Sequence, residues 1–148
     1  MTITILSDNK GNPELPDLGC DVVVLERNNY GPPASLATES IVGDSDNPEA
    51  LVKLASQVDV VTLENEFVDA AGLRTLEECG YALFPTAGSI GLVQDKLRQK
   101  EALASAGLPV ARFAAVASPA ELQSAGGELG WPVLLKARRN AYDGKGNV

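Results

Sequence analysis

Between positions 132 and 148 the chain gathers four cations, Lys136, Arg138, Arg139 and Lys145, against one anion, Asp143. This basic segment sits in a protein whose net charge is −8. Lys136 interrupts an apolar run between Leu135 and Ala137, so its side chain either turns to solvent or reaches a ligand. Tyr142, Asp143, Gly144, Lys145 and Gly146 then form a short loop with two glycines. Glycines let a backbone turn its amides toward phosphate oxygens, and lysines neutralise phosphate charge. That is the chemistry of a nucleoside triphosphate site. A β-hairpin explains the same residues, because Asp143-Gly144 is a strong turn dipeptide and surface hairpins carry lysines. The pattern GxxxxGK[ST] is absent, and no GxGxxG follows the first strand, so neither a Walker A loop nor a dinucleotide fingerprint is present.

Two further groups have chemical potential. Gln94, Asp95 and Lys96, with Arg98 and Lys100, open a charged segment that reads as a helix. Lysines there can face an anionic ligand. A solvated helix face accounts for them equally, with Asp95 favourable near the positive helix end. Glu64, Asn65 and Glu66 follow an apolar run. In open α/β sheets ligands bind beyond the carboxyl ends of strands, where two carboxylates can hold an amine or a hydroxyl. A solvated loop is the alternative. The chain has no histidine, which excludes His-based triads, His-ligated zinc and a histidine general base. Cys20 and Cys79 lie far apart and read as two thiols without catalytic context.

These groups need elements to hold them. Thr2–Leu6 reads as a strand, residues 7–19 as a loop rich in proline and glycine, and residues 20–26 as a buried parallel strand. Asp46 is placed to cap a helix with Pro48 in its first turn and Glu49 completing the box. Residues 59–63 read as a strand, Asp69 as the cap of a helix through Cys79, and residues 81–84 as a short strand. The alternation predicts an α/β fold, a Rossmann-like parallel sheet with helices packed on it. Residues 7–19 do not look able to form the helix that usually joins the first two strands. A Pro/Gly/Ser stretch then marks a boundary, giving a first domain over 1–86 and a second over 87–148. In the second, residues 94–106 predict a helix, 111–116 a strand, and 133–138 a strand. Ser118, Pro119 and Glu121 start another helix, which Gly126 and Gly127 weaken by roughly 1 kcal/mol each relative to alanine.

Composition bounds the rest. With 45% apolar and 22% charged residues the sequence is that of a globular protein. No apolar run approaches the roughly 20 residues that span a bilayer. The first twenty residues carry Asp8, Glu14 and Asp17 and lack a secretory pattern, so a cytoplasmic location is expected. The acidic balance argues against nucleic acid or an anionic membrane as partner.

Taken together, VTLENEF, QDKLRQKEAL and the strand lysine followed by Arg138, Arg139 and YDGKG resemble the N5-carboxyaminoimidazole ribonucleotide synthases, ATP-grasp ligases of purine synthesis. The resemblance covers residues 20–148. It implies a Rossmann-like domain followed by an incomplete ATP-grasp subdomain. It further implies ATP-dependent carboxylation of the amine of 5-aminoimidazole ribonucleotide by bicarbonate, giving ADP and phosphate. Lys96 and Lys136 match positions that face the nucleotide; Tyr142, Asp143, Gly144, Lys145 and Gly146 match the loop over its phosphates; Glu64 matches the ribonucleotide side. ATP and Mg2+ are the implied cofactors, with the metal ligands expected beyond Val148. A homodimeric parent is implied. Two departures stand out: SDNKGNPELPDLG replaces a glycine-rich first loop, and the family usually has glycine where Asn140 or Ala141 stands. A chain ending at Val148 is expected to be inactive alone, with residues 137–148 mobile. The alternatives are another ATP-grasp carboxylate–amine ligase and a non-catalytic α/β interaction module.

Overall fold

The structure, a computed structural model, describes residues 2–6 as backbone and residues 19–27, 37–141 and 146–147 in full. The elements are β1 (Thr2–Leu6), β2 (Asp21–Glu26), β3 (Glu39–Val42), α1 (Pro48–Ala55), β4 (Val60–Leu63), α2 (Ala70–Glu78), α3 (Ala87–Val93), α4 (Lys96–Ser105) and α5 (Pro119–Leu129). They divide into two compact units, Met1–Gly91 and Leu92–Val148.

The first unit is built on a parallel sheet ordered β3-β2-β1-β4. Its register is tight at the carboxyl end: Leu6 pairs with Leu25 on one side and Leu63 on the other. The five residues after Asp21 in β2 are all buried, as its unbroken apolar run predicts for an interior parallel strand. Val23 and Leu25 face one core, with Leu51, Leu54, Val61, Leu73 and Leu76. Val22 and Val24 face the other side of the sheet, where Ala37 packs.

Asn47, rather than the expected Asp46, caps α1: its Oδ1 accepts from the amides of Glu49 at 2.9 Å and Ala50 at 3.4 Å. Asp46 instead accepts from the amide of Asp69 at 3.4 Å. Asp69 caps α2 as expected. Strand β3 and helix α3 were not expected. β3 has only four residues, too few to show a period, and α3 carries two glycines and a serine, poor helix formers that hide its pattern. The expected strand at 81–84 is a single bridge, Val61 to Leu83, flanked by backbone bonds from Val61 to Ala82 and from Phe84 to Val61. Ala87 and Ile90 of α3 are buried in the main core, so the Pro85 turn lies within the first unit, and the division falls inside α3. Residues 7–18, the departure in the first loop, lie outside the described residues.

In the second unit α4 has no buried residue. Ser118 caps α5, accepting from the amide of Glu121 at 3.2 Å, while Glu121 Oε2 accepts from the amide of Ala117 at 2.8 Å. The strands expected at 111–116 and 133–138 are not formed among the described residues. A strand exists by its ladder, and among the described residues the only partner is Asn147, bridging to Lys136. Side chains hold the first segment instead: Arg112 donates to the carbonyls of Glu128 at 2.7 Å and Leu129 at 3.3 Å, closing the end of α5. Gly126, read as a weak point of α5, is buried because the Trp131 indole lies against it; a Cβ there would strike the ring. No helix among the described residues is long and apolar enough to cross a membrane.

The first unit's stability rests on α1 and α2 packing against the sheet. Leu73 is fully buried, while Arg74 beside it is exposed. Leu73→Ala is expected to lower the free energy of unfolding by about 2–5 kcal/mol. Arg74→Ala should change it by no more than about 0.5 kcal/mol. Urea titration followed by far-ultraviolet circular dichroism measures both.

Candidate nucleotide site

The second unit turns on Asp95. As the N-cap of α4 it has extended backbone angles, φ −114° and ψ 105°, and its Oδ1 accepts from the amides of Leu97 at 3.1 Å and Arg98 at 3.3 Å. The same carboxylate receives the Arg138 guanidinium as a fork: Nε to Oδ1 at 3.0 Å and Nη2 to Oδ2 at 2.6 Å. Arg139 Nε stands 3.6 Å from Oδ2. Asp95 is 4% exposed, so the pair is shielded on the carboxylate side. The Arg138 hydrogen bond, the backbone amide of Arg98, the Arg138 charge and the amide of Leu97 together outweigh desolvation and lower the Asp95 carboxyl to about 2. Arg138 is raised in turn, first by its hydrogen bond to Asp95. A backbone bond from the Lys96 amide to the Arg138 carbonyl, 2.9 Å, runs beside the fork.

That double attachment brings Lys96 to the basic segment. Lys96 is half-buried, and its Nζ donates to the Ala141 carbonyl at 2.8 Å. Lys136 is exposed and its backbone bridges Asn147; the Ala137 amide donates to the Gly146 carbonyl at 2.8 Å. Gly146 has φ +75°, and a Cβ on it would stand 2.9 Å from Ala141 Cβ and 3.2 Å from Ala137 Cβ, so only glycine fits. Asn140 has φ +55°, the left-handed region that asparagine enters more readily than most residues. It thus takes a backbone shape more often left to glycine, and Ala141 beside it is buried.

Lys96, Lys136 and Gly146 are therefore assembled in one region. Tyr142, Asp143, Gly144 and Lys145 lie outside the described residues. Glu64 follows β4 in the first unit and is half-buried, in a turn where Asn65 Oδ1 accepts from the Phe67 amide at 2.9 Å. The sequence reading assigned Lys136 and Lys145 to the nucleotide and gave Arg138 and Arg139 no separate role. Arg138 and Arg139 are drawn onto Asp95, whereas Lys96 donates to the Ala141 carbonyl and Lys136 is exposed. The partnership was missed because its residues are 43 positions apart. The available signal was an acid at a helix start and paired arginines, which says nothing about pairing. Among the described residues no group of three His, Cys, Asp or Glu side chains can hold a metal ion.

A carboxyl depressed from 3.8 to about 2 stabilises the fold above pH 4 and loses that contribution as pH falls toward 2. Asp95→Asn should therefore be less stable than the parent chain above pH 4, with the gap closing between pH 4 and pH 2. Urea titrations followed by fluorescence of Trp131, the single tryptophan, at pH 6, 4, 3 and 2 check this. Gly146→Ala should lower stability at every pH.

Known proteins place this geometry. Residues 14–94 match the ribonucleotide synthetase preATP-grasp domain, and residues 101–148 match the ATP-grasp domain. The chain is 40% identical over 134 residues to the N5-carboxyaminoimidazole ribonucleotide synthase of Synechococcus elongatus, covering 90% of itself and 34% of that protein. It is 36% identical to the phosphoribosylaminoimidazole carboxylase of Saccharomyces cerevisiae, covering 88% of itself and 24% of that protein. The structure of N5-carboxyaminoimidazole synthetase from Staphylococcus aureus with ADP matches with a TM-score of 0.89 at 34% identity, over 99% of this chain and 40% of that one. The Aspergillus clavatus synthase, in complex with ADP and 5-aminoimidazole ribonucleotide, matches with a TM-score of 0.83 at 29% identity, over 99% of this chain and 39% of that one. The chain thus spans about a third of the Synechococcus relative's length and two fifths of the structural ones. The resemblance read from its motifs is borne out. With the first match covering more than half of its residues, the chain belongs to the ribonucleotide synthetase preATP-grasp family, and an ATP-grasp sequence follows that domain.

Proposed function

We propose that the chain supplies the preATP-grasp domain and the first nucleotide-binding elements of a ligase that carboxylates the amine of 5-aminoimidazole ribonucleotide. ATP and bicarbonate are the co-substrates, and ADP and phosphate leave. The observation that carries this reading is the assembly of Lys96, Lys136 and the Gly146 turn by the Asp95–Arg138 fork. Its support from relatives is the ADP held by the Staphylococcus aureus structure and the ADP and aminoimidazole ribonucleotide held by the Aspergillus clavatus one.

In this reading a bicarbonate oxygen attacks the γ-phosphorus and the bond to ADP breaks. The carboxyl group then passes to the amine, which loses a proton as phosphate departs. Both steps develop negative charge on phosphate oxygens, which fixed cations and backbone amides stabilise. Lys96 and Lys136 serve the nucleotide phosphates. Tyr142, Asp143, Gly144, Lys145 and Gly146 form the covering loop, and Glu64 serves the ribonucleotide. Mg2+ would neutralise the ATP phosphates; the described residues do not fit a metal centre, so no step is assigned to it. A cytoplasmic location and a homodimeric whole protein belong to the same reading.

The test is calorimetric titration of Mg-ATP into this chain and into a fusion with the remaining residues of the Synechococcus relative. The fusion should bind, and Lys136→Ala should weaken it by about tenfold or more, about 1.4 kcal/mol. Equal affinity with and without Lys136 would make the basic segment a surface hairpin and favour an interaction module.

A further inference from the structure

Glu26 is the last residue of β2 and is 3% exposed, yet only one of its carboxylate oxygens is satisfied. Oε1 accepts from Ser40 Oγ at 3.3 Å. Oε2 is buried and has no hydrogen-bond partner among the described residues. A buried acceptor left without a donor carries a desolvation cost that folding alone does not return. Such an atom calls for a ligand that donates.

Its position says where. Leu25, Leu6 and Leu63 pair across the sheet, so Glu26 and Glu64 each stand one residue beyond that line, on the two strands flanking β1. Their backbones are two strand spacings apart, about 9–10 Å, which two inward-reaching glutamates can close on one small molecule. The chain order runs outward through β2 and β3 on one side of β1 and returns as β4 on the other. Such a reversal is where open parallel sheets bind ligands. Alternation along β2 puts Glu26 on the side of Val22 and Val24, away from the main core. Ser40 lies on the same side, since its neighbour Ile41 faces that core.

We infer that Glu26 is a substrate-binding residue whose Oε2 accepts a hydrogen bond from the ribose diol of the ribonucleotide, opposite Glu64. This rests on the ribonucleotide reading above. An anion is excluded by the carboxylate charge. The reacting amine changes its bonds during turnover, whereas the ribose hydroxyls do not react and suit a fixed, buried acceptor.

The experiment titrates the 15N-labelled chain with ribose 5-phosphate, 2-deoxyribose 5-phosphate and inorganic phosphate. Ribose 5-phosphate should shift the amides of residues 24–27 and 63–66 and bind on the order of fivefold more tightly than the deoxy sugar. Glu26→Leu should melt at the same temperature or higher, because the orphaned oxygen is gone, and should lose the preference for ribose. No preference in the parent chain, or a preference that survives in Glu26→Leu, overturns the inference. Should the variant not fold, the parent comparison decides alone. A Mg-ATP titration of the same sample, read at residues 95–98 and 136–141, reports on the nucleotide reading independently.

Discussion

One carboxylate holds the second unit's basic segment in place. Asp95 starts a helix, receives a guanidinium fork and draws a second arginine, all through two oxygens. Charge-assisted, two-pronged bonds of this kind fix direction as well as distance. Because the Lys96 amide also reaches the Arg138 carbonyl, the segment cannot slide along the helix without breaking both bonds. The placement of both lysines follows from this constraint. A helix with no buried residue has little apolar packing to define its position, so polar attachments carry that task.

The first unit solves its problem by opposite means. Apolar side chains from β2, β4, α1, α2 and α3 close one core, and the sheet's pairing decides which residues reach its carboxyl edge. Shifting β2 by one residue would exchange Val23 and Leu25 with Val22 and Val24 and carry Glu26 to the other face. The hydrophobic pattern therefore positions the edge carboxylates as firmly as it positions the core.

Much of this was legible from residues alone, for reasons that differ by element. β2 announced itself as an unbroken β-branched run, and Asp69 as a cap ahead of a periodic helix. β3 and α3 were invisible because four residues show no period and glycines blur one. The strands read at 111–116 and 133–138 have strand composition, yet composition cannot supply a partner. At the site, lysines and glycines were readable by type. The Asp95–Arg138 fork and the orphaned oxygen of Glu26 were not, since both arise only when distant segments meet.

The Lys96 bond to the Ala141 carbonyl has a thermodynamic consequence. A free lysine loses up to about 2 kcal/mol of rotamer entropy on being fixed. Here that loss is taken when the unit folds. The ammonium is oriented in advance, so any group that replaced the carbonyl would exchange one acceptor for another rather than restrain a swinging chain.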